Sequence, residues 1–186
     1  MSRLVFLLEE PSMRVLLEGM LPRLFPTLEF LCVSHDGKSD LEKSIPRKLK
    51  AWRIPGDRFV VVRDADGADC KALKTALVTL CREGDRPDTL VRIVCQELEA
   101  WYFGQPDALA RAFNDEALRG VGSRARFRQP DTISRPSRQL AQLCPAFQKI
   151  SGARRMAGAL SFKENTSPSF RAFVTGIAGL ARLPSP

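Results

Sequence analysis

Hydrophobic residues fall into four short runs, each followed by an amphipathic stretch. The runs lie in Arg3 to Leu8, Leu28 to Val33, Arg58 to Asp66 (apolar from Phe59 to Val62) and Thr89 to Cys95. The third run, with three consecutive valines, reads as a strand buried on both faces, and the first repeats its pattern; the second and fourth are strand candidates. Between them the spacing turns helical. After the first run, Ser12 is placed to cap a helix with Val15, Leu16, Leu17, Met20 and Leu21 inward, stopped by Pro22 and Pro26. Ser39 or Asp40 caps a second helix over Leu41 to Trp52. A third runs from about Asp69 to Glu83, with Leu73, Leu77, Val78 and Leu80 inward and Gly84 at its stop.

Strands alternating with helices predict an α/β fold with a four-stranded, mainly parallel sheet flanked by helices. After residue 104 the strand pattern ceases. A short helix over Asp107 to Phe113 precedes a long loop, Leu118 to Arg138, rich in Arg, Gly, Ser and Pro. Helices follow at Pro145 to Leu160 and Ser167 to Ala181. The expected organisation is an α/β core over 1–104 with a basic helical C-terminal extension, 105–186, packed on it.

Acids follow three of the four strands: Glu9 and Glu10, Asp64 and Asp66, Glu97 and Glu99. In a parallel sheet all three clusters share the carboxyl edge, where open α/β sheets bind ligands. One acidic strand end is adequately explained as a helix cap; three on one edge point to a hard cation such as Mg²⁺ or Mn²⁺ held by carboxylate oxygens. Glu97 and Glu99, two residues apart on a helix, point in nearly opposite directions, so one of them faces the crevice.

Charge sharpens this reading. The chain's net charge is +8. Residues 1–118 hold 17 Lys/Arg and 19 Asp/Glu, a net of −2, and residues 119–186 hold 12 and 2, a net of +10. A basic C-terminal third beside an acidic strand edge suits a polyanion such as DNA or RNA; solvated surface arginine is the alternative. Lys38 and Arg63 near the acids, Arg124, Arg126 and Arg128 around Phe127, and the pair Arg154 and Arg155 are the expected phosphate contacts. Phe127 is a candidate for base stacking.

Other motifs exclude alternatives. Gly37-Lys38-Ser39 follows a strand, but Cys32 stands where a phosphate loop needs its first glycine, and Pro46 falls early for a long helix. His35, the one histidine, is expected in a surface loop. Tyr102 sits between Trp101 and Phe103 and reads as packing. The five cysteines lack metal or redox spacing, and no leader or membrane-length apolar run is evident, so a reduced, cytoplasmic setting without membrane contact is expected.

The blocks Leu8-Glu9-Glu10-Pro11-Ser12, His35-Asp36-Gly37-Lys38-Ser39-Asp40-Leu41, Arg63-Asp64-Ala65-Asp66 with Asp69, and Arg92-Ile93-Val94-Cys95-Gln96-Glu97-Leu98-Glu99-Ala100-Trp101 resemble those of the domain of unknown function 4276 family. Phe147-Gln148-Lys149, Gly152-Ala153-Arg154 and Ser169-Phe170 extend the resemblance over nearly the whole chain. A strand-end Glu followed later by Asp-x-Asp is also similar to the TOPRIM fold of topoisomerases, primases and OLD-family nucleases. The chain departs from TOPRIM domains in having Glu10 after the first acid instead of glycine, and from many relatives in having Gln105 instead of Asp. The resemblance implies a TOPRIM-like metal site with Glu9, Asp64 and Asp66 as ligands, helped by Glu97 or Glu99. It also implies a role in phage defence beside a partner ATPase.

The expected function is therefore metal-dependent hydrolysis of DNA or RNA, with Glu9, Asp64, Asp66, Glu97, Glu99 and Lys38 as the catalytic set. The alternative is a non-catalytic nucleic-acid-binding or docking subunit of an ATPase-linked complex. A third reading is a small-molecule phosphatase or phosphotransferase using the same acids.

Overall fold

The computed structural model describes residues 3–186. Four strands, β1 (Leu4–Leu8), β2 (Phe30–Ser34), β3 (Arg58–Asp64) and β4 (Leu90–Val94), form one sheet in the order β2-β1-β3-β4. All three pairings are parallel, with Leu4 opposite both Phe30 and Arg58, and Asp64 opposite Val94. The sheet is thus wholly parallel.

Side chains alternate across it. Leu4, Phe6, Leu8, Val60 and Val62 enter one core, and Val5, Leu7, Phe59, Val61 and Val91 the other. This two-sided burial is why the two central strands, β1 and β3, read as unbroken apolar runs, while the edge strands β2 and β4 are largely half-buried. Helix α1 (Pro11–Leu24) packs on the first face; α2 (Lys38–Ala51) and α3 (Cys70–Glu83) pack on the second. The chain leaves β1 toward β2, then returns across to β3 on its other side. Adjacent connections thereby diverge between β1 and β3, and such a switch point opens a crevice at the carboxyl ends of those two strands.

The remaining helices are α4 (Glu99–Phe103), α5 (Pro106–Phe113), α6 (Pro136–Leu143), α7 (Lys149–Ala157) and α8 (Pro168–Ala181). They close the first core. Trp101 lies 5.3 Å from the ring of Phe170 and 5.1 Å from that of Phe173, and its indole N–H donates to Ser169 Oγ at 2.9 Å. Ser167 caps α8, its hydroxyl accepting the Phe170 N–H at 3.2 Å. Trp101, Tyr102 and Phe103 are all buried, as packing residues.

Several local expectations are corrected. Glu10, not Ser12, occupies the cap of α1, and the Ser12 hydroxyl donates to the Glu10 carboxylate. Pro22 lies inside α1, exposed, and Pro46 inside α2, half-buried; proline keeps a helical φ and sacrifices one hydrogen bond, a loss each helix tolerates because its opposite face is packed in a core. Gly37, at φ 92°, caps α2, while Asp40 accepts the Asp36 N–H at 3.2 Å. At the end of α3 the left-handed residue is Asp85 (φ 58°), not Gly84. Gly84 is small for another reason: a Cβ there would meet Leu49 Cβ at 2.8 Å and Pro46 at 3.1 Å, where α2 crosses.

The stretch 118–138 is not a featureless loop. Three 3₁₀ turns, Glu116–Ser123, Ala125–Phe127 and Pro130–Thr132, lead into α6. Such tight turns carry no 3.6-residue period and leave no amphipathic trace. The helix expected over 145–160 is confined to α7. His35 is buried rather than a surface residue; its Nδ1–H donates to the Leu8 carbonyl at 2.9 Å, tying the ends of β2 and β1 together. Phe127 is also enclosed, stacked on Phe103 at 4.9 Å and an interplanar angle of 5°, so its ring is closed to a nucleobase.

Candidate metal centre

Glu9 leaves β1 at the switch point and is only 8% exposed. Its Oε2 accepts the backbone N–H of Asp64, the last residue of β3, at 3.0 Å. Asp64, 4% exposed, in turn accepts the Leu98 N–H through Oδ2 at 3.1 Å. Backbone amides at the end of β3 and just before α4 therefore fix both carboxylates. Asp64 Oδ1 is buried with no partner among the described residues.

Burial and mutual repulsion act on the pair. Burial first, and then the charges of nearby acids, raise the Glu9 carboxyl against the lowering pull of the Asp64 amide and of Arg63. Asp64 is raised well above the ordinary range by burial, followed by the charges of Glu9 and Glu99. Arg63 Nε stands 4.0 Å from Glu9, and Arg63 Nη2 lies 3.4 Å from Glu42. The guanidinium is itself buried, so it serves the acids from inside the protein.

Asp66 lies beyond the strand in an exposed turn, at φ 49°, followed by Gly67 at φ 81°. A left-handed Asp is tolerated because its short side chain suits local bonding. Its carboxylate is 3.6 Å from Lys38 Nζ, which opens α2. Its N–H donates to the Gln96 carbonyl at 2.8 Å, joining the loop after β3 to the loop after β4.

Glu97 and Glu99 do part company. Glu97 precedes α4 and accepts the Ser137 N–H at 2.8 Å, anchoring the start of α6. With Asp66, Gly67, Gln96, Ser134 and Arg135 it lines a cavity of about 270 Å³. Glu99 opens α4 with no exposed surface, and neither of its oxygens finds a partner among the described residues. Burial pushes its carboxyl up to about 7, against the lowering influence of Lys149. The Tyr102 hydroxyl, equally enclosed and unpartnered, is raised by burial and then by the charges of Glu99 and Asp64.

Lys149 escaped the sequence reading as a site residue. It opens α7 and reaches Glu10 at 3.1 Å, 139 residues away in sequence. No local pattern announces so distant a contact. The charges of Glu99 and Glu10 raise its pKa despite the opposing effect of its partial burial.

Arg124, Arg126 and Arg128 are exposed on the 3₁₀ turns, with Arg126 folded 4.5 Å over the Phe127 ring. Arg154 and Arg155 are exposed on α7, and Arg155 stands 5.5 Å over Phe113.

The acids suit a hard divalent cation in their chemistry. The donors are carboxylate oxygens, one of them buried and unpartnered, and the cluster's own repulsion favours a positive charge among them. Among the described residues, no three His, Cys, Asp or Glu side chains converge on one point. The set thus matches an ion held by one or two carboxylates, with water or phosphate completing its shell, as magnesium prefers, and not an all-protein cage.

Two solved structures share the fold over nearly their full length. The C-terminal region of the OLD protein from Xanthomonas campestris pv. campestris has a TM-score of 0.55 at 15% identity, covering 97% of this chain and 96% of that one. The C-terminal region of the Burkholderia pseudomallei OLD protein has a TM-score of 0.55 at 17% identity, with 98% of each chain covered. At such identities the likeness is one of fold: the TOPRIM-like parallel sheet with flanking helices. No curated protein matches the chain. The family model described as Domain of unknown function (DUF4276) matches residues 8–178, and with nearly the whole chain so covered, the protein belongs to the DUF4276 family.

Proposed function

We propose that this chain is a divalent-metal-dependent nuclease, hydrolysing phosphodiester bonds of DNA or RNA. Glu9 and Asp64 carry this reading: two buried carboxylates, fixed by backbone amides at the topological switch point, with Asp64 Oδ1 left unpartnered. Mg²⁺ or Mn²⁺ held there, with Asp66 and Glu97 at the margin, would supply an activated water and a positive charge for the leaving oxygen. Arg63 offsets the charge of Glu9 from behind. Glu99, holding a proton through much of the range below neutrality, limits the negative charge behind Asp64. Lys38 exchanges Asp66 for a substrate phosphate oxygen, acting as a point charge. The exposed Arg124, Arg126, Arg128, Arg154 and Arg155 draw in the nucleic-acid backbone.

The solved relatives are C-terminal regions of larger proteins. That supports pairing of this chain with a further domain or subunit, and the family resemblance supports an ATPase as that partner and a place in phage defence. No described helix is long and apolar enough to cross a membrane.

The test is cleavage of mixed single- and double-stranded DNA and RNA with Mn²⁺ or Mg²⁺, against a folded Asp64→Asn/Asp66→Asn variant. Cleavage by the parent alone supports the proposal and identifies the substrate. Equal cleavage by both variants removes these acids from the chemistry. Absence of both cleavage and metal binding leaves the docking subunit as the better account.

A further inference from the structure

Cys70 and Cys95 are brought together from separate elements. Their Sγ atoms are 3.2 Å apart, and both residues are half-buried. Cys70 is the first residue of α3, directly after its cap Asp69; Cys95 follows β4 and precedes Gln96, which is held at φ 68°. Both line an open cavity of about 440 Å³, together with Lys71, Lys74, Arg92 and Asp131. A small oxidant reaches the pair from solvent through that opening. The other three cysteines, Cys32, Cys81 and Cys144, are buried singly.

We propose that Cys70 and Cys95 form a reversible intramolecular disulfide when the chain meets a two-electron oxidant such as hydrogen peroxide. A disulfide bond of about 2.05 Å requires the two sulfurs to close by roughly 1 Å, a shift that one helix terminus and one loop can share. Cys70 Sγ attacks a peroxide oxygen, the O–O bond breaks, and a sulfenic acid and one water result. Cys95 Sγ then attacks Cys70 Sγ and displaces hydroxide, which leaves as a second water with the Cys95 proton. Two thiols and one peroxide thus give one disulfide and two waters. Burial, contact with Cys70 and the nearby Asp131 carboxylate push the Cys95 thiol up to about 12, which argues against Cys95 making the first attack on peroxide; the 3.2 Å Sγ–Sγ separation is what lets it resolve the sulfenic acid.

The bond would staple the start of α3 to the loop after β4, reinforcing the Asp66 N–H to Gln96 carbonyl and Ala65 N–H to Val94 carbonyl bonds that already join the ends of β3 and β4. It depends on no assumption about nuclease chemistry.

The experiment treats the reduced full chain with a small excess of hydrogen peroxide. Free thiols should fall from five to three, the intact mass by two hydrogens, and peptide mapping should link Cys70 to Cys95, reversibly by dithiothreitol. Amide exchange over residues 65–70 should slow in the oxidised form. Cys95→Ser should abolish the link and leave a Cys70 sulfenic acid that dimedone traps, whereas Cys144→Ser should still cross-link. Over-oxidation of Cys70 in the parent without a link, a link between two chains, or thiol loss spread across all five cysteines would overturn the proposal.

Discussion

Glu99 is a carboxyl with no exposed surface and no hydrogen-bond partner among the described residues, and the consequence for stability can be worked through. Burial lifts it from an ordinary 4.5 to about 7. Because the folded value lies above the unfolded one, the folded state holds the proton more tightly. Stability from this group is complete below the unfolded value and is lost as pH rises through the folded one. The difference corresponds to about 3 kcal/mol in full, of which about 2 to 3 kcal/mol falls between pH 5 and pH 8. Glu99→Gln keeps the shape and cannot ionise, so it lacks this dependence. Urea unfolding in the presence of a chelator, followed through tryptophan fluorescence at pH 5, 6, 7 and 8, gives the comparison. The variant should gain on the parent steadily, ending about 2 to 3 kcal/mol better placed at pH 8 than at pH 5. A parent-to-variant difference that stays flat across these four points would refute the reasoning, because a deeply buried carboxyl with a raised pKa cannot be silent in that range.

Metal should stabilise the protein more at high pH than at low, because protons compete for the raised carboxyls of Glu9 and Asp64; thermal shifts with and without Mn²⁺ at pH 5.5 and pH 8 read this, and Asp64→Asn should shrink the difference. Gly104→Ala should cost about 1–3 kcal/mol, since a Cβ there runs into the buried Asn165 amide, which is held by the Trp101 carbonyl at 2.8 Å, and stands 3.0 Å from Ser167 Cβ; chemical denaturation measures it. Replacing Arg124, Arg126 and Arg128 together by Ala should weaken nucleic-acid binding for all sequences alike and flatten the plot of log affinity against log salt by about 2 to 3 units, with the fold unchanged by circular dichroism.

The parallel α/β sheet was legible because a strand buried on both faces must be apolar throughout, and Phe59 to Val62 or Leu4 to Leu8 permit little else. The shared edge of the three acid clusters followed from parallelism alone. What stayed hidden depended on distant contacts. His35 looks like a loop residue until the Leu8 carbonyl is placed beside it, and Phe127 looks available for stacking until Phe103 covers it. Helical spacing predicted that Glu97 and Glu99 would diverge, and they do, but Glu97 lies before α4 and not on it, so their separate fates depend on Ser137 and on the packing around Tyr102. Lys149 and the Cys70–Cys95 pair join segments that no local pattern connects.

The ion pair of Lys149 with Glu10 sets a timetable for the nascent chain. Glu9 meets the Asp64 amide across 55 residues, and Glu10 meets Lys149 across 139. Contacts of such separation close late and slow folding. During synthesis β1 therefore waits, first for β3 and then for α7, before its acidic end is complete. The sheet can assemble while the last helices are still inside the ribosome, but the finished edge cannot. A chain stalled or clipped before residue 149 would carry the strands of the fold with Glu10 lacking its lysine and the first core still open along α1.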